Sequence, residues 1–167
     1  MRNADLVFSI ANWFVLVGWA ALLLAPLRRD ALVLVARVVA AAVCAMYAIL
    51  VVRGLAVGPG LPEGAGFGSL DAVVALLSTR GAMLAGWIHY LAFDLFVASW
   101  MLADAPRAGV PHWVVVPLLG LTLMMGPVGL LVYLLVAGMR VSQRARLLDA
   151  GITTVHELAG HQGKVPE

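Results

Sequence analysis

Asp94 stands in the middle of a long apolar stretch, Trp87-Ile88-His89-Tyr90-Leu91-Ala92-Phe93-Asp94-Leu95-Phe96, where a carboxylate is expensive. At the centre of a membrane helix it costs roughly 2.5–3.5 kcal/mol on insertion scales, so its presence there asks for a reason. On a helix Asp94 shares a face with Tyr90 and Trp87, four and seven residues earlier. His89 points elsewhere, alongside Phe93, Phe96 and Trp100, about 7–8 Å along the axis. One reading makes Asp94 and His89 catalytic, flanking a buried polar cavity from adjacent faces and exchanging protons with a substrate. The other reading is structural: Asp94 pairs with Arg37 or Asn12 and holds helices together.

Further polar residues divide in the same way. Asn12, a turn and a half into the first apolar run, orients a substrate or ties helices. Asp71 is solvated or caps a short helix, with catalysis the remote alternative. Gly126-Pro127-Val128-Gly129 sits mid-way along the last apolar run. Proline there frees a backbone carbonyl and the glycines admit a close neighbour, so the segment is either a packing kink or part of a ligand site. The substrate-binding candidates are therefore Asn12, Trp87, Tyr90, Phe93, Gly126 and Pro127. His156 and His161 do not form a zincin pair, since i and i+5 places them about 140° apart on a helix. No metal site is expected, and no phosphate loop, nucleophile elbow or haem-attachment motif is present.

The elements that must hold these residues are membrane helices. The chain is 63% hydrophobic and 12% charged, with mean hydropathy +0.99. A soluble domain carries roughly 45–50% apolar and about 25% charged residues. A domain this small could not hide the excess, and lipid is the solvent that tolerates it. The expected fold is an all-α bundle of about four transmembrane helices plus one short interfacial helix. A net charge of +2 with scattered basic residues gives no footprint for nucleic acid.

Four runs have the length of about 20 residues that a span needs: Leu6 to Leu27, Ala31 to Val52, Gly81 to Ala103 and His112 to Met139. The first is too long for a signal-peptide core and is read as a retained helix. Arg28-Arg29-Asp30 makes the first two an antiparallel hairpin, and Gly58 to Gly64 reads as a loop. Between Ser69 and Thr79, Leu70, Val73, Val74 and Leu77 fall at helical spacing. At about 16 Å this piece cannot span, and it lies at the interface or packs as a short re-entrant helix. Pro111, Pro117 and Pro127 make the fourth run a bent helix.

The organisation expected is a membrane domain over 1–139 and a cytoplasmic tail over 140–167, which either forms a short helix from the capping box Thr154-Val155-His156-Glu157 or is disordered. Four crossings put Arg2, Arg53, Arg80, Arg140, Arg144, Arg146 and Lys164 on one side, against Arg28, Arg29 and Arg107 on the other. That places both termini in the cytoplasm. Trp13, Trp19, Trp87, Trp100 and Trp113 are read as interfacial anchors, and Cys44 as a small buried hydrophobe. The small-residue face from Ala82 to Gly86 suits helix packing.

The block from Gly86 to Phe96, followed about 30 residues later by Gly126-Pro127-Val128-Gly129, resembles the abscisic-acid-deficient-four-like membrane proteins. Plant members of that family are required for making neoxanthin from violaxanthin. Phe8-Ser9-Ile10-Ala11-Asn12 and the segment Ser69-Leu70-Asp71 to Leu77-Ser78 fit as well, and the likeness covers Leu6 to Met139. A basic residue often follows Asp-Leu-Phe in the family, whereas Val97-Ala98-Ser99-Trp100 is neutral here.

The resemblance implies a membrane enzyme, or a subunit of one, acting on a carotenoid or related isoprenoid lipid. Its reaction would be an epoxide-to-allene isomerisation with Asp94 and His89 as acid and base, Asn12 as orienter and no redox cofactor. The alternative is a non-enzymatic membrane scaffold or lipid-binding protein. A small transporter is a weaker third reading with so few spans. The partners implied are membrane lipid and a carotenoid or other apolar small molecule, with room for a homo-oligomer. An Ala- and Arg-rich, Lys-poor composition points to a bacterium, and so to its inner (plasma) membrane.

Overall fold

The computed structural model describes residues 2–58 and 60–162. Lys164, counted among the basic residues above, lies outside them. The fold is all-α, with five helices in the order α1 (Arg2–Leu23), α2 (Arg29–Val57), α3 (Leu70–Leu77), α4 (Arg80–Ala108) and α5 (His112–Gln162). Four of them, α1, α2, α4 and α5, are long and apolar enough to cross a membrane, and α3 is the short fifth. Outward-facing residues such as Leu16, Val17, Leu34, Val38 and Leu131 give the bundle a surface that lipid covers.

The ends are set by local chemistry. Ser69 and Thr79 cap α3 and α4 by accepting hydrogen bonds from the amides of Ala72 and Ala82, at 3.1 and 3.2 Å. Gly109 ends α4 in the left-handed region at φ 71, its amide reaching back to Ala105 and Pro106. The apolar Leu70 and Val74 on α3 are exposed, as an interfacial helix requires.

Helix α4 is the centre, with α1 and α2 against it. Helix α1 runs parallel to α4: Asp5 pairs with Arg80 at one end and Gly18 packs on Leu95 further along. Helix α2 runs antiparallel, its Arg29 donating to the Leu102 carbonyl at 2.9 Å while Tyr47 meets His89 near the other end. Ala11, Val15 and Leu22 of α1, Ala36 and Val43 of α2, and Ile88, Leu95 and Leu102 of α4 close the core. Trp19 is buried in that core rather than anchored at an interface, because it shares a helical face with the buried Ala11, Val15 and Leu22. Cys44 is exposed on α2, away from the buried stripe of Val33, Ala36, Val39, Ala40 and Val43.

The predicted bend in the last helix falls at Met125, which has non-helical φ −146 and ψ 63. The change of direction is large. The first arm starts beside the C-terminal end of α1, with His112 Nε2 3.3 Å from the Leu23 carbonyl. It runs back along α4 until the Leu123 carbonyl stands 3.5 Å from the Tyr90 hydroxyl. The second arm then returns, because Tyr133 donates to Asp104 at 2.7 Å and its ring meets Trp100. Gly129 lies directly on Thr122, leaving no room for a Cβ. Beyond the bundle α5 continues to Gln162, through the stretch that holds Thr154. The segment after Met139 is rich in Arg, Gln, Leu and Ala, which extend a helix readily.

Candidate functional site

Asp94 lies near the mid-point of α4 on the face turned to α5, only 8% exposed. A 29-residue helix is longer than the hydrocarbon core, so its middle falls near the bilayer centre. Its Oδ2 atom is buried and has no hydrogen-bond partner. The break at Met125 brings Gly126 over the same carboxylate, so closely that a Cβ on Gly126 would overlap it. Glycine at this position is thus required by contact, and the fold-back delivers it there.

Tyr90, one turn before Asp94, completes the group. Its hydroxyl donates to the Leu123 carbonyl at 3.5 Å. Leu123 precedes the break, and Pro127 four residues on has no amide hydrogen to offer it. The same hydroxyl faces the Asp94 carboxylate and the Gly126 amide. An aromatic wall continues outward, with Trp87 5.6 Å from Tyr90 and Phe8 5.9 Å from Trp87 between ring centroids. Trp87 Nε1 donates to Asn12 Oδ1 at 3.3 Å, and Asn12 donates to the Phe8 carbonyl at 2.7 Å. Asn12, Trp87, Tyr90, Asp94 and Gly126 therefore form one connected surface between α1, α4 and the tip of α5.

His89 is not part of it. It is exposed on another face of α4, stacked on Phe93 with centroids 4.5 Å apart and edge-on to Tyr47. His89 and Asp94 are not brought together: they lie on different faces of α4, five residues apart, and the two faces meet different neighbours. Phe93 goes with His89 and is 54% exposed. Pro127 is at the tip of the turn but exposed.

Asp94 is paired with neither Arg37 nor Asn12; its contact with another helix is the one with Gly126. Arg37 is exposed on α2, and Asn12 spends its amide on Phe8 and Trp87. Nothing ties Asp94 to either. Among the described residues no group of three or more His, Cys, Asp or Glu could hold a metal ion.

The pair Tyr133–Asp104 was not singled out from the sequence. Tyr133 is fully buried, and the only signal for it was a tyrosine in the last apolar run with an acid at the preceding turn. Asp94 is thus buried between α4 and the α5 tip, with the rings of Tyr90, Trp87 and Phe8 continuing from it toward α1.

Residues 6–133 match the family described as ABA DEFICIENT 4-like, a stretch that runs from α1 through both arms of the α5 turn as far as Tyr133. No curated protein and no solved structure matches the chain.

Proposed function

The chain belongs to the ABA DEFICIENT 4-like family, and we propose on that premise that it is a membrane enzyme, or a subunit of one, acting on a carotenoid or related isoprenoid lipid. The observation that carries the reading is the buried Asp94 carboxylate with Oδ2 free of any partner. A carboxylate held at that cost with one oxygen unpaired supports a role toward a substrate beyond seating the α5 tip.

The reaction that suits the group is the isomerisation of an allylic epoxide to a hydroxy-allene. Asp94 takes the proton from the vinyl carbon next to the ring, and the new double bond forms as the adjacent epoxide C–O bond breaks. The oxygen stays on the ring and receives a proton from the Tyr90 hydroxyl, which Asp94 then replenishes. Atoms and electrons balance within one molecule, and no redox cofactor enters. Trp87 and Phe8 give the polyene an apolar wall, and Asn12 fixes Trp87.

A non-enzymatic scaffold would use Asp94 only as the seat of the α5 tip on α4, a use that calls for no unpaired carboxylate oxygen. The test is a pigment and lipid profile of the host with and without the protein. Conversion of a carotenoid to an isomer of equal mass supports the proposal, provided Asp94→Asn abolishes it while accumulating normally. An unchanged profile sinks it.

A further inference from the structure

We infer that α5 is a re-entrant hairpin rather than a fourth crossing, so that the chain traverses the bilayer three times and its termini emerge on opposite sides. The first arm, 112–124, is about 20 Å long, short of the ~30 Å hydrocarbon core. It enters beside the C-terminal ends of α1 and α4, where His112 meets Leu23. At its foot the Leu123 carbonyl stands at the level of Tyr90 and Gly126 at the level of Asp94, the middle of α4.

A continuing helix would carry residue 133 further from the α4 C-terminal end, toward Trp87. Tyr133 is instead bonded to Asp104 and packed on Trp100, back near that end. Thr122 and Gly129, placed symmetrically about the break, touch each other as residues of two antiparallel arms do. The return from Gly126 to Met139 is about 21 Å, matching the way in, and Arg140 is the first charge after it.

The bilayer centre permits such a turn only where protein meets its backbone groups. Tyr90 serves the Leu123 carbonyl, and the Asp94 carboxylate lies at the amide end of the second arm. The charges agree. Arg28, Arg29, Arg107, Arg140, Arg144 and Arg146 now share one end of the bundle, while the other end has Arg2, Arg53 and Arg80, with Arg80 paired to Asp5. The first end is therefore cytoplasmic and the N-terminus faces the opposite compartment. This replaces the same-side termini that four crossings imply, and it is independent of the reaction proposed above.

The experiment is single-cysteine labelling of the full chain in sealed membranes with a membrane-impermeant maleimide. The background is Cys44→Ser, and the sites are Asn3→Cys, Glu63→Cys, Arg28→Cys and Gln143→Cys, all exposed in the fold. Asn3→Cys and Glu63→Cys are expected to label from one side, and Arg28→Cys and Gln143→Cys from the other. Labelling of Gln143→Cys from the same side as Asn3→Cys overturns the inference, as does labelling of each site from both sides. A compartment-sensitive reporter fused after Glu167 reads the tail with no substitution in the membrane part, so a variant that fails to accumulate leaves the question decidable.

Discussion

Gly126 lies against the Asp94 carboxylate with no space between them for a methyl group. The contact joins the two features that were most conspicuous in the sequence, a mid-span acid and a mid-span Gly-Pro. It predicts that Gly126→Ala pushes the tip of α5 off α4 or turns Asp94 out of place. Overpacking of this kind costs about 1–3 kcal/mol. Thermal unfolding of the purified protein in detergent should show the loss, together with reduced turnover in the pigment assay. Unchanged stability and turnover would mean that the tip is not seated on Asp94.

Asp94→Asn separates chemistry from structure. The amide keeps the shape, and no existing hydrogen bond of Oδ2 is lost because it has none. The variant should accumulate at the wild-type level. General acid–base catalysis contributes on the order of 10²–10⁴ in rate, and a loss of that size is expected in isomer formation. Failure to accumulate with residual activity per molecule intact would return Asp94 to a structural role.

Tyr90 beside Asp94 and His89 on another face of α4 give a sharper contrast. Tyr90→Phe removes the hydroxyl that meets Leu123 and faces Asp94, and should lower turnover strongly while costing about 0.5–1.5 kcal/mol in stability. His89→Ala removes a ring stacked on Phe93 at the lipid surface and should leave most of the turnover. Turnover assays on the two variants at matched protein level decide between them; the opposite ranking would restore His89 to the reaction.

The apolar runs announced α1, α2 and α4 because a helix in lipid must be apolar over its whole length, and charges at Arg28, Arg29, Arg53 and Arg80 mark where that stops. The face shared by Trp87, Tyr90 and Asp94 was legible for a similar reason, since helix periodicity alone dictates it. What periodicity could not reveal is the direction the chain takes after Met125. Residues 112–139 have the length of one bent span, and the same prolines serve a kink or a reversal. The difference lies in long-range contacts, Tyr133 with Asp104 and Gly129 with Thr122, that no local pattern encodes. That His89 meets Tyr47 while Asp94 meets Gly126 is set by how α2 and α5 pack, which helix periodicity does not encode.

Tyr133 holds the returning arm to α4, and its loss should be felt more than that of an ordinary tyrosine. Tyr133→Phe removes a 2.7 Å hydrogen bond to a carboxylate from a fully buried ring. A bond to a charged group is worth about 1.5–3 kcal/mol, and Asp104 would be left without that donor. Tyr47→Phe, which removes a hydroxyl on the other side of the bundle, is the control and should be nearly silent in thermal unfolding.

The glycines of α5 supply a test of the reversal itself. Gly129 and Gly138 are both helical, yet a Cβ at Gly129 meets the backbone of Thr122 whereas one at Gly138 meets nothing within 4 Å. Backbone cannot yield as a flexible side chain can, so Gly129→Ala must separate the two arms and is expected to lower the unfolding temperature clearly. Gly138→Ala should raise it, since Ala is better than Gly in a helix interior by roughly 0.5–1 kcal/mol. Were α5 a single straight rod, residues seven apart would stand about 10 Å from each other along its axis. The two substitutions would then behave alike, and equal stabilisation by both would exclude the antiparallel contact between Thr122 and Gly129.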